Sequence, residues 1–220
     1  MPTPTRVGRG RCSYLRFDGL LTRKQVLCLQ QFVASADVQR STYVQQSTSD
    51  GSSTRDRDSR IALLGRPGGQ PPPEIPAWLD GRMRAACREA HSVYGDDVCP
   101  LGIDSRGRWT PRFEPVQYSE YAAGGHYAAW HTDAHPSDEH DEADLRCVTC
   151  VLMVSDEAAY SGGRLEVRLG GGRKASQVAL RAGDAVVFPA KHLRHRVAKC
   201  KSGLRQTLVY WARRPGGVRC

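Results

Sequence analysis

Three side chains that could bind a metal ion stand in two short motifs, His131-Thr-Asp133 and His195-Arg-Val. Two imidazoles and one carboxylate leave coordination positions open, and this donor set holds iron(II) in non-haem oxygenases. Arg205 follows His195 by ten residues, and its planar guanidinium suits one carboxylate of a dicarboxylate cosubstrate. We therefore predict an iron(II) site formed by His131, Asp133 and His195, with Arg205 across the same cavity.

Two alternatives stand against this prediction. The pattern His-x-Asp arises often by chance, so these side chains could be ordinary polar residues of the surface. His192 also competes with His195 as the second histidine, because it lies three residues earlier in the chain. We prefer His195 because it has the spacing to Arg205 and begins an alternation of apolar residues.

Strands are the elements that could bring these residues together. Side chains at positions i and i+2 of a strand point to the same face, so one strand can present both His131 and Asp133. Residues 147–155 are apolar and rich in valine, which predicts a buried strand.

Residues 195–211 predict a hairpin. If Lys201, Ser202 and Gly203 form a three-residue loop, Gly203 takes the left-handed conformation, and His195 and Arg205 lie on one face of the sheet. A two-residue loop would instead place His195 and Arg205 on opposite faces, so this step depends on the loop.

Residues 115–211 carry further motifs in a fixed order. They are Tyr121-Ala-Ala-Gly-Gly-His-Tyr127, His131-Thr-Asp133, Arg146-Cys-Val-Thr149, Ser155-Asp156, Gly162-Gly163, Ala182-Gly-Asp-Ala-Val-Val-Phe-Pro189, His195-Arg-Val197, Gly203-x-Arg205 and Tyr210-Trp211. This series resembles the catalytic core of the iron(II)/2-oxoglutarate-dependent oxygenases, in the prolyl 4-hydroxylase branch. The resemblance covers a little under half of the chain.

The resemblance implies an α+β fold, with a double-stranded β-helix (jelly roll) core preceded by supporting helices. It also implies that oxygen and 2-oxoglutarate react at Fe(II), giving succinate and carbon dioxide while an aliphatic carbon is hydroxylated. The expected substrate is a prolyl residue in a peptide or protein, and ascorbate is a candidate reductant. The alternatives are the same chemistry on a free amino acid or an alkylated nucleic-acid base, or a metal-binding jelly-roll module without turnover.

The resemblance also assigns roles to residues, with no catalytic side chain beyond the metal centre. Iron would be held by His131, Asp133 and His195, and the cosubstrate by Arg205, Tyr121, Thr207 and Tyr118. The chain departs from the family at Met153, where many members have a tyrosine that hydrogen-bonds the cosubstrate and methionine cannot donate. Tyr118 or Tyr121 would then have to substitute.

Two further departures lie near the ligands. The segment between Tyr127 and His131 is one residue longer than usual, with Trp130 beside the ligand, and a β-bulge would absorb the extra residue. Arg164 follows the Gly-Gly pair where a glutamate or a small polar residue is common, which concerns substrate contacts more than iron.

An acidic segment follows the first two ligands. We predict that Glu139, Asp141 and Glu142, with Asp138 and Asp144, form a lid that favours a basic peptide substrate. The alternative is a solvated loop with no role in binding.

The charge balance gives weaker information about partners. The net charge of +9 could indicate a polyanion, but the basic residues are scattered, as at Arg55, Arg57 and Arg60, without interleaved aromatic residues. A solvated basic surface is therefore favoured, and nucleic acid is disfavoured as a partner. No apolar run approaches the roughly 20 residues of a membrane helix, and the basic N-terminal segment lacks the apolar centre of a secretory signal. These features favour the cytoplasm, with a short organelle-targeting segment as the alternative.

The remaining patterns predict the layout of one compact domain. Residues 1–111 would be a helical support region, residues 112–214 the jelly-roll core, and residues 215–220 a basic tail. Thr22 is expected to cap a first helix, Ala77 to begin a second, and residues 45–60 to form a mobile loop. The eight cysteines are expected to be reduced, and core packing rather than zinc binding is expected for at least one of Cys147 and Cys150, whose side chains would point to opposite faces of a strand.

Overall fold

A computed structural model of the chain describes residues 1–41, 43–48, 55–65, 74–99, 111–134 and 145–214. The strands are β1 (Thr5–Val7), β2 (Tyr14–Phe17), β3 (Tyr43–Thr48), β4 (Arg55–Leu64), β5 (Arg112–Phe113), β6 (Val116–Tyr121), β7 (His126–His131), β8 (Arg146–Met153), β9 (Tyr160–Gly162), β10 (Leu165–Val167), β11 (Ser176–Val178), β12 (Ala185–Pro189), β13 (His195–Val197), β14 (Cys200–Gly203) and β15 (Arg205–Arg213). The α-helices are α1 (Arg23–Val33), α2 (Ala36–Ser41) and α3 (Ala77–Tyr94).

Most of the strands form one antiparallel sheet that folds into two facing walls. The major wall has the order β1-β2-β12-β8-β15-β6, and the minor wall has the order β7-β13-β10-β11. Strand β4 joins the walls, because Arg60 pairs with Glu120 of β6 whereas Arg57 pairs with Tyr127 of β7. This curled sheet is the predicted jelly roll, and the fold prediction is confirmed.

Apolar side chains fill both sides of the major wall. Leu79, Met83 and Ala90 of α3 pack with α1 against its outer face, and Thr22 caps α1 as predicted, accepting a 3.3 Å hydrogen bond from the backbone N–H of Gln25. Between the walls, Met153 and Phe188 belong to a second buried cluster. These side chains form a packed layer that separates the two walls. A cavity lies between the walls near the end of β7 and the start of β13.

The predicted mobile loop over residues 45–60 is wrong wherever the structure describes that segment. Residues 45–48 lie in β3 and residues 55–60 in β4, and the two strands pair from Tyr43–Ile61 to Thr48–Arg55, with a shift of register between Ser47 and Thr48. The polar composition misled the prediction, because Arg57, Ser59 and Ile61 alternate with side chains on the other face of β4 and so disguise a strand as a solvated loop.

The predicted hairpin over residues 195–211 is also wrong. Strand β13 pairs with β7 and β10, β15 pairs with β5, β6 and β8, and β14 between them pairs with β9. Gly203 does take the predicted left-handed conformation, with φ of +75°, and a Cβ there would approach the Ala159 carbonyl oxygen to 2.0 Å. The chain therefore crosses from the minor to the major wall after His195, and His195 and Arg205 face each other across the cavity.

Other features of the described residues agree with the sequence. Core packing was expected for at least one of Cys147 and Cys150, and both are buried in the core with free thiols. In the part of the chain that the structure covers, none of the helices combines the length and the apolar character required to cross a membrane.

Candidate active site

The three predicted metal ligands converge at a cavity of about 220 Å³ between the walls. His131 of β7 and His195 of β13 are direct cross-strand partners, and their rings lie 4.3 Å apart. The Nε2 atoms of His131 and His195 lie 3.8 and 3.6 Å from the carboxylate oxygens of Asp133. One ligand atom from each residue lies within 4.8 Å of the others, so a single cation could bind all three.

The backbone fixes which nitrogen each imidazole presents to that cation. Nδ1 of His131 lies 3.0 Å from the Ala129 carbonyl oxygen, and Nδ1 of His195 lies 3.1 Å from the Leu193 carbonyl oxygen. A carbonyl only accepts, so each Nδ1 carries the proton and each Nε2 keeps a free lone pair. Both histidines are thus oriented with Nε2 available as a ligand before any metal arrives.

Asp133 is held by contacts on both sides. Its backbone N–H donates to the Ala190 carbonyl oxygen at 3.0 Å, and Thr149 of β8 donates its hydroxyl to Oδ2 at 2.6 Å. Burial raises the pKa of Asp133, but the nearby histidines and the Thr149 hydrogen bond outweigh burial, and the net effect lowers the pKa. The carboxylate is therefore ionised at neutral pH, as a metal ligand must be.

The predicted bulge near the ligand is confirmed. Strand β13 pairs His195 with His131 and Val197 with Tyr127, so one residue of β13 opposes three residues of β7. The irregularity lets Tyr127 stack on His131, with ring centroids 3.9 Å apart. The side chain of Trp130, next to His131, contacts two cations: the guanidinium carbons of Arg168 and Arg196 lie 4.1 and 4.8 Å from the centre of its ring.

Arg205 lines the same cavity, and only 1% of its surface is exposed to solvent. Its Nε and Nη1 atoms have no hydrogen-bond partner among the described residues. Burial lowers the pKa of Arg205, whereas Tyr121 and Tyr160 act in the opposite direction. A buried guanidinium with unpaired N–H groups is costly, so this geometry fits a carboxylate that enters the cavity and pairs with it.

Tyr160 is a neighbour of this site that the sequence analysis did not identify. Its hydroxyl lies 4.0 Å from Sδ of Met153, and its phenol acts against burial to raise the pKa of Arg205. Gly163 keeps the space open, because a Cβ there would lie 3.0 Å from Cδ of Arg205 and 3.6 Å from the Tyr160 ring. Tyr160 thus brings a phenol beside Met153, where the resemblance predicts that a tyrosine is missing.

Comparisons with known proteins agree with this geometry. Residues 116–213 match the family described as "2OG-Fe(II) oxygenase superfamily". Over a little under half of the chain, the segment is therefore similar to the 2OG-Fe(II) oxygenases. It is similar to a PKHD-type hydroxylase from Teredinibacter turnerae, with 34% identity over 98 residues, covering 44% of this chain and 42% of that protein. The chain therefore matches less than half the length of that curated relative.

Two solved structures share the fold of the oxygenase core and the elements around it. A Pseudomonas putida prolyl-4-hydroxylase superposes with a TM-score of 0.62 and 22% identity, over 92% of this chain and 93% of that one. A prolyl hydroxylase from Trichoplax adhaerens, in complex with a hypoxia inducible factor peptide fragment, superposes with a TM-score of 0.66 and 16% identity, over 91% and 83%. The donor set and the unpaired guanidinium fit the Fe(II) and 2-oxoglutarate of this oxygenase type.

The remaining predicted cosubstrate residues divide between the two faces of β6. Tyr121 on β6 and Thr207 on β15 line the cavity, as predicted. Tyr118 does not, so that prediction is wrong. Because it lies three residues from Tyr121, its side chain points into the helix-backed core, where its hydroxyl donates to Glu120 at 2.6 Å.

Arg57 also lines the cavity, although the sequence analysis assigned it to a solvated surface. Its side chain is only 8% exposed, its Nε donates to Ser59 at 2.8 Å, and its guanidinium lies 5.0 Å from the centre of the Tyr127 ring. The signal for Arg57 in the sequence was the two-residue alternation of β4, which the surrounding charges concealed. The predicted acidic lid, with Glu139, Asp141 and Glu142, lies outside the described residues.

We predict that acid destabilises the metal-free protein between about pH 6.5 and pH 4. Burial and the neighbouring His195 lower the pKa of His131 to about 4. Between these pH values the unfolded chain binds a proton at His131 and the folded chain does not, so unfolding is favoured as the pH falls. The full effect is about 3 kcal/mol, since one pKa unit corresponds to about 1.4 kcal/mol.

The measurement is urea unfolding of the chelator-treated protein at several pH values. The variant His131→Gln, which cannot titrate, should lose less stability over this interval than the wild type. Equal pH dependence in the two proteins would contradict the assigned cause.

Proposed function

We propose that this chain is an iron(II)- and 2-oxoglutarate-dependent dioxygenase that hydroxylates a prolyl residue in a peptide or protein, with succinate and carbon dioxide as the other products. One observation carries the proposal: His131, Asp133 and His195 converge on one point, and the unpaired guanidinium of Arg205 lines the same buried cavity. A metal-binding module without turnover would have no need for a costly buried arginine.

The protein's own contribution begins with the metal ligands. His131, Asp133 and His195 would occupy one face of Fe(II), which, when bound, supplies oxygen activation. The hydrogen bonds from the two Nδ1 atoms and from Thr149 hold these ligands in place, so little ordering remains to be done on binding. The open side of the ion would then face the cavity that Arg205 lines.

Arg205 and its neighbours would bind 2-oxoglutarate. The Arg205 guanidinium can pair with both oxygens of the far carboxylate, and this pairing removes the cost of its unpaired N–H groups. Thr207 lines the cavity and can donate its hydroxyl. Tyr160 lies beside Met153 at the edge of this site, and its phenol can supply the donor that Met153 lacks. Val151, Val209 and Leu165 line the same space and limit the entry of water.

The size of the cavity supports a substrate that enters only in part. About 220 Å³ suits a small organic acid, so the main body of a peptide would lie at the mouth. Arg57 and Trp211 line the cavity and could contact the peptide backbone and the pyrrolidine ring. Peptide binding by the similar Trichoplax adhaerens enzyme supports this substrate class.

We expect that Tyr160→Phe weakens 2-oxoglutarate binding about tenfold, because a hydrogen bond to a charged group is worth about 1.5 kcal/mol or more. Calorimetric titration of the metal-loaded protein measures the effect. In the double variant Met153→Tyr/Tyr160→Phe, a phenol returns to the same region and should restore part of the affinity. Unchanged affinity in Tyr160→Phe would exclude the assigned role.

The function itself is tested by incubating the protein with Fe(II), 2-oxoglutarate, ascorbate and a panel of proline-containing peptides. Succinate formation coupled to the gain of one oxygen atom on proline supports the proposal. A parallel reaction with a methylated oligonucleotide and with free amino acids separates the alternative substrates. Failure of all peptides, with turnover of another substrate class, would overturn the prolyl assignment.

A further inference from the structure

The outer face of the minor wall carries a concentration of positive charge. Five side chains form what we name the basic face: Arg164, Arg168, Arg194, Arg196 and Lys199. They belong to β10, β13 and the segments that adjoin these strands, which lie next to each other in the sheet. Strands are about 4.8 Å apart, so these cations lie within one small area.

Trp130 organises the centre of the basic face. The guanidinium carbons of Arg168 and Arg196 lie 4.1 and 4.8 Å from its ring, and Nη2 of Arg194 donates to its carbonyl oxygen at 2.9 Å. The sequence analysis considered other basic clusters and did not identify this one, which forms around Trp130 only in the folded sheet. Stacked guanidinium groups are already ordered, so they lose little entropy when they bind an anion.

The charge of this face is only partly neutralised within the described residues. Nε of Arg196 pairs with Glu166 at 2.7 Å, whereas Nε of Arg168 is buried without a hydrogen-bond partner among these residues. Arg11 and Lys191 add positive charge near His192. Burial is the largest cause of the lowered pKa of His192, and the charges of Arg11 and Lys191 lower it further. The excess charge has the character of an anion-binding surface.

A shallow cavity adjoins these cations. It has a volume of about 270 Å³ and is lined by His126, Arg196 and Lys199, together with Ala128, Val197 and Ala198. The remainder of the face offers ordered charges instead of apolar pockets. A peptide is usually recognised through side-chain pockets or through a strand edge, whereas a phosphodiester backbone is recognised through regularly placed cations.

We propose that the basic face binds the phosphate backbone of a single-stranded nucleic acid. Arginine suits this partner because its planar fork can pair with two phosphate oxygens. The sequence composition disfavoured nucleic acid, and the gathering of scattered arginines around Trp130 reverses that expectation. The site lies on the opposite side of β7 and β13 from the metal ligands, so the inference does not depend on the proposed hydroxylation.

Fluorescence anisotropy with labelled single-stranded 20-residue RNA and DNA oligonucleotides tests the proposal on the full chain. Four available cations predict a slope near −3 in a plot of log affinity against log salt concentration, at about 0.7 for each phosphate contact. Arg194→Gln/Lys199→Gln, both exposed, should reduce the slope by about 1.4 and the affinity at low salt by about tenfold or more. Adding Arg168→Gln to this double variant should reduce the affinity further.

The matched control is Arg23→Gln/Lys24→Gln, which removes the same charge from exposed positions at the start of α1. Its affinity should stay close to that of the wild type. Thermal unfolding of all variants verifies that they fold. The proposal is overturned if neither oligonucleotide binds, if both double variants bind alike, or if a polyglutamate chain of equal charge binds more tightly than the oligonucleotides.

Discussion

Replacing Asp133 by alanine should lower the affinity for Fe(II) by at least about a hundredfold. Loss of a residue that only hydrogen-bonds a metal ligand already lowers metal affinity by about 10 to 100-fold, and Asp133 is itself a ligand. Asp133 supplies the only negative charge among the three ligands, and its oxygens lie 3.8 and 3.6 Å from the two Nε2 atoms. Without it, two neutral imidazoles face the cation alone. Anaerobic calorimetric titration with Fe(II) measures the loss, and succinate formation should fall to background.

The matched control for this prediction is His192→Ala. His192 competes with His195 in the sequence, but it does not line the metal cavity, and its backbone N–H donates to the Pro189 carbonyl oxygen in the turn before β13. Its removal should leave Fe(II) affinity unchanged. If His192→Ala abolished binding and Asp133→Ala did not, the donor set described above would be wrong.

Replacing Arg205 by glutamine should weaken 2-oxoglutarate binding by about a hundredfold or more, since truncating one partner of a buried charge pair costs about 2–5 kcal/mol. Arg205 is 1% exposed, and two of its nitrogens have no partner among the described residues. The loss should appear in the Michaelis constant for 2-oxoglutarate and in direct calorimetric titration of the metal-loaded protein.

Two further measurements separate this role from a structural one. Without cosubstrate, the variant should be at least as stable as the wild type in urea unfolding, because an unpaired buried charge has been removed. Its Fe(II) affinity should also be unchanged. Arg181→Gln, at an exposed position 63% accessible to solvent, serves as the charge-matched control. Normal 2-oxoglutarate affinity in Arg205→Gln would contradict the assignment.

The metal site could be predicted because its information is local. His131 and Asp133 lie two residues apart at the end of a strand, and strand geometry alone places them near one another. His195 and Arg205 were identified through their spacing, although the hairpin that was expected to align them does not form. Their convergence depends on two walls that face each other, which no short-range pattern encodes.

Tyr160 and Arg57 are site residues that local sequence patterns did not identify. Tyr160 reaches Met153 and Arg205 only because β9 crosses beside the start of β15 through its pairing with β14. Arg57 enters the cavity because β4 pairs with both walls, although its neighbours in the chain are polar and charged. Tyr118 shows the converse. It lies an odd number of residues from Tyr121 on the same strand, so its side chain points to the opposite face and packs in the core instead of the site.

By itself, the sequence determined the ligand types, the caps and apolar faces of the helices, and the identity of the arginine that could bind a carboxylate. These properties depend on side-chain chemistry and on periodicity over a few residues. The tertiary structure decided which face each strand presents, which phenol accompanies Arg205, and how separate arginines gather around Trp130. Those outcomes depend on pairing between strands distant in sequence, because register and facing are properties of the closed sheet rather than of any one strand.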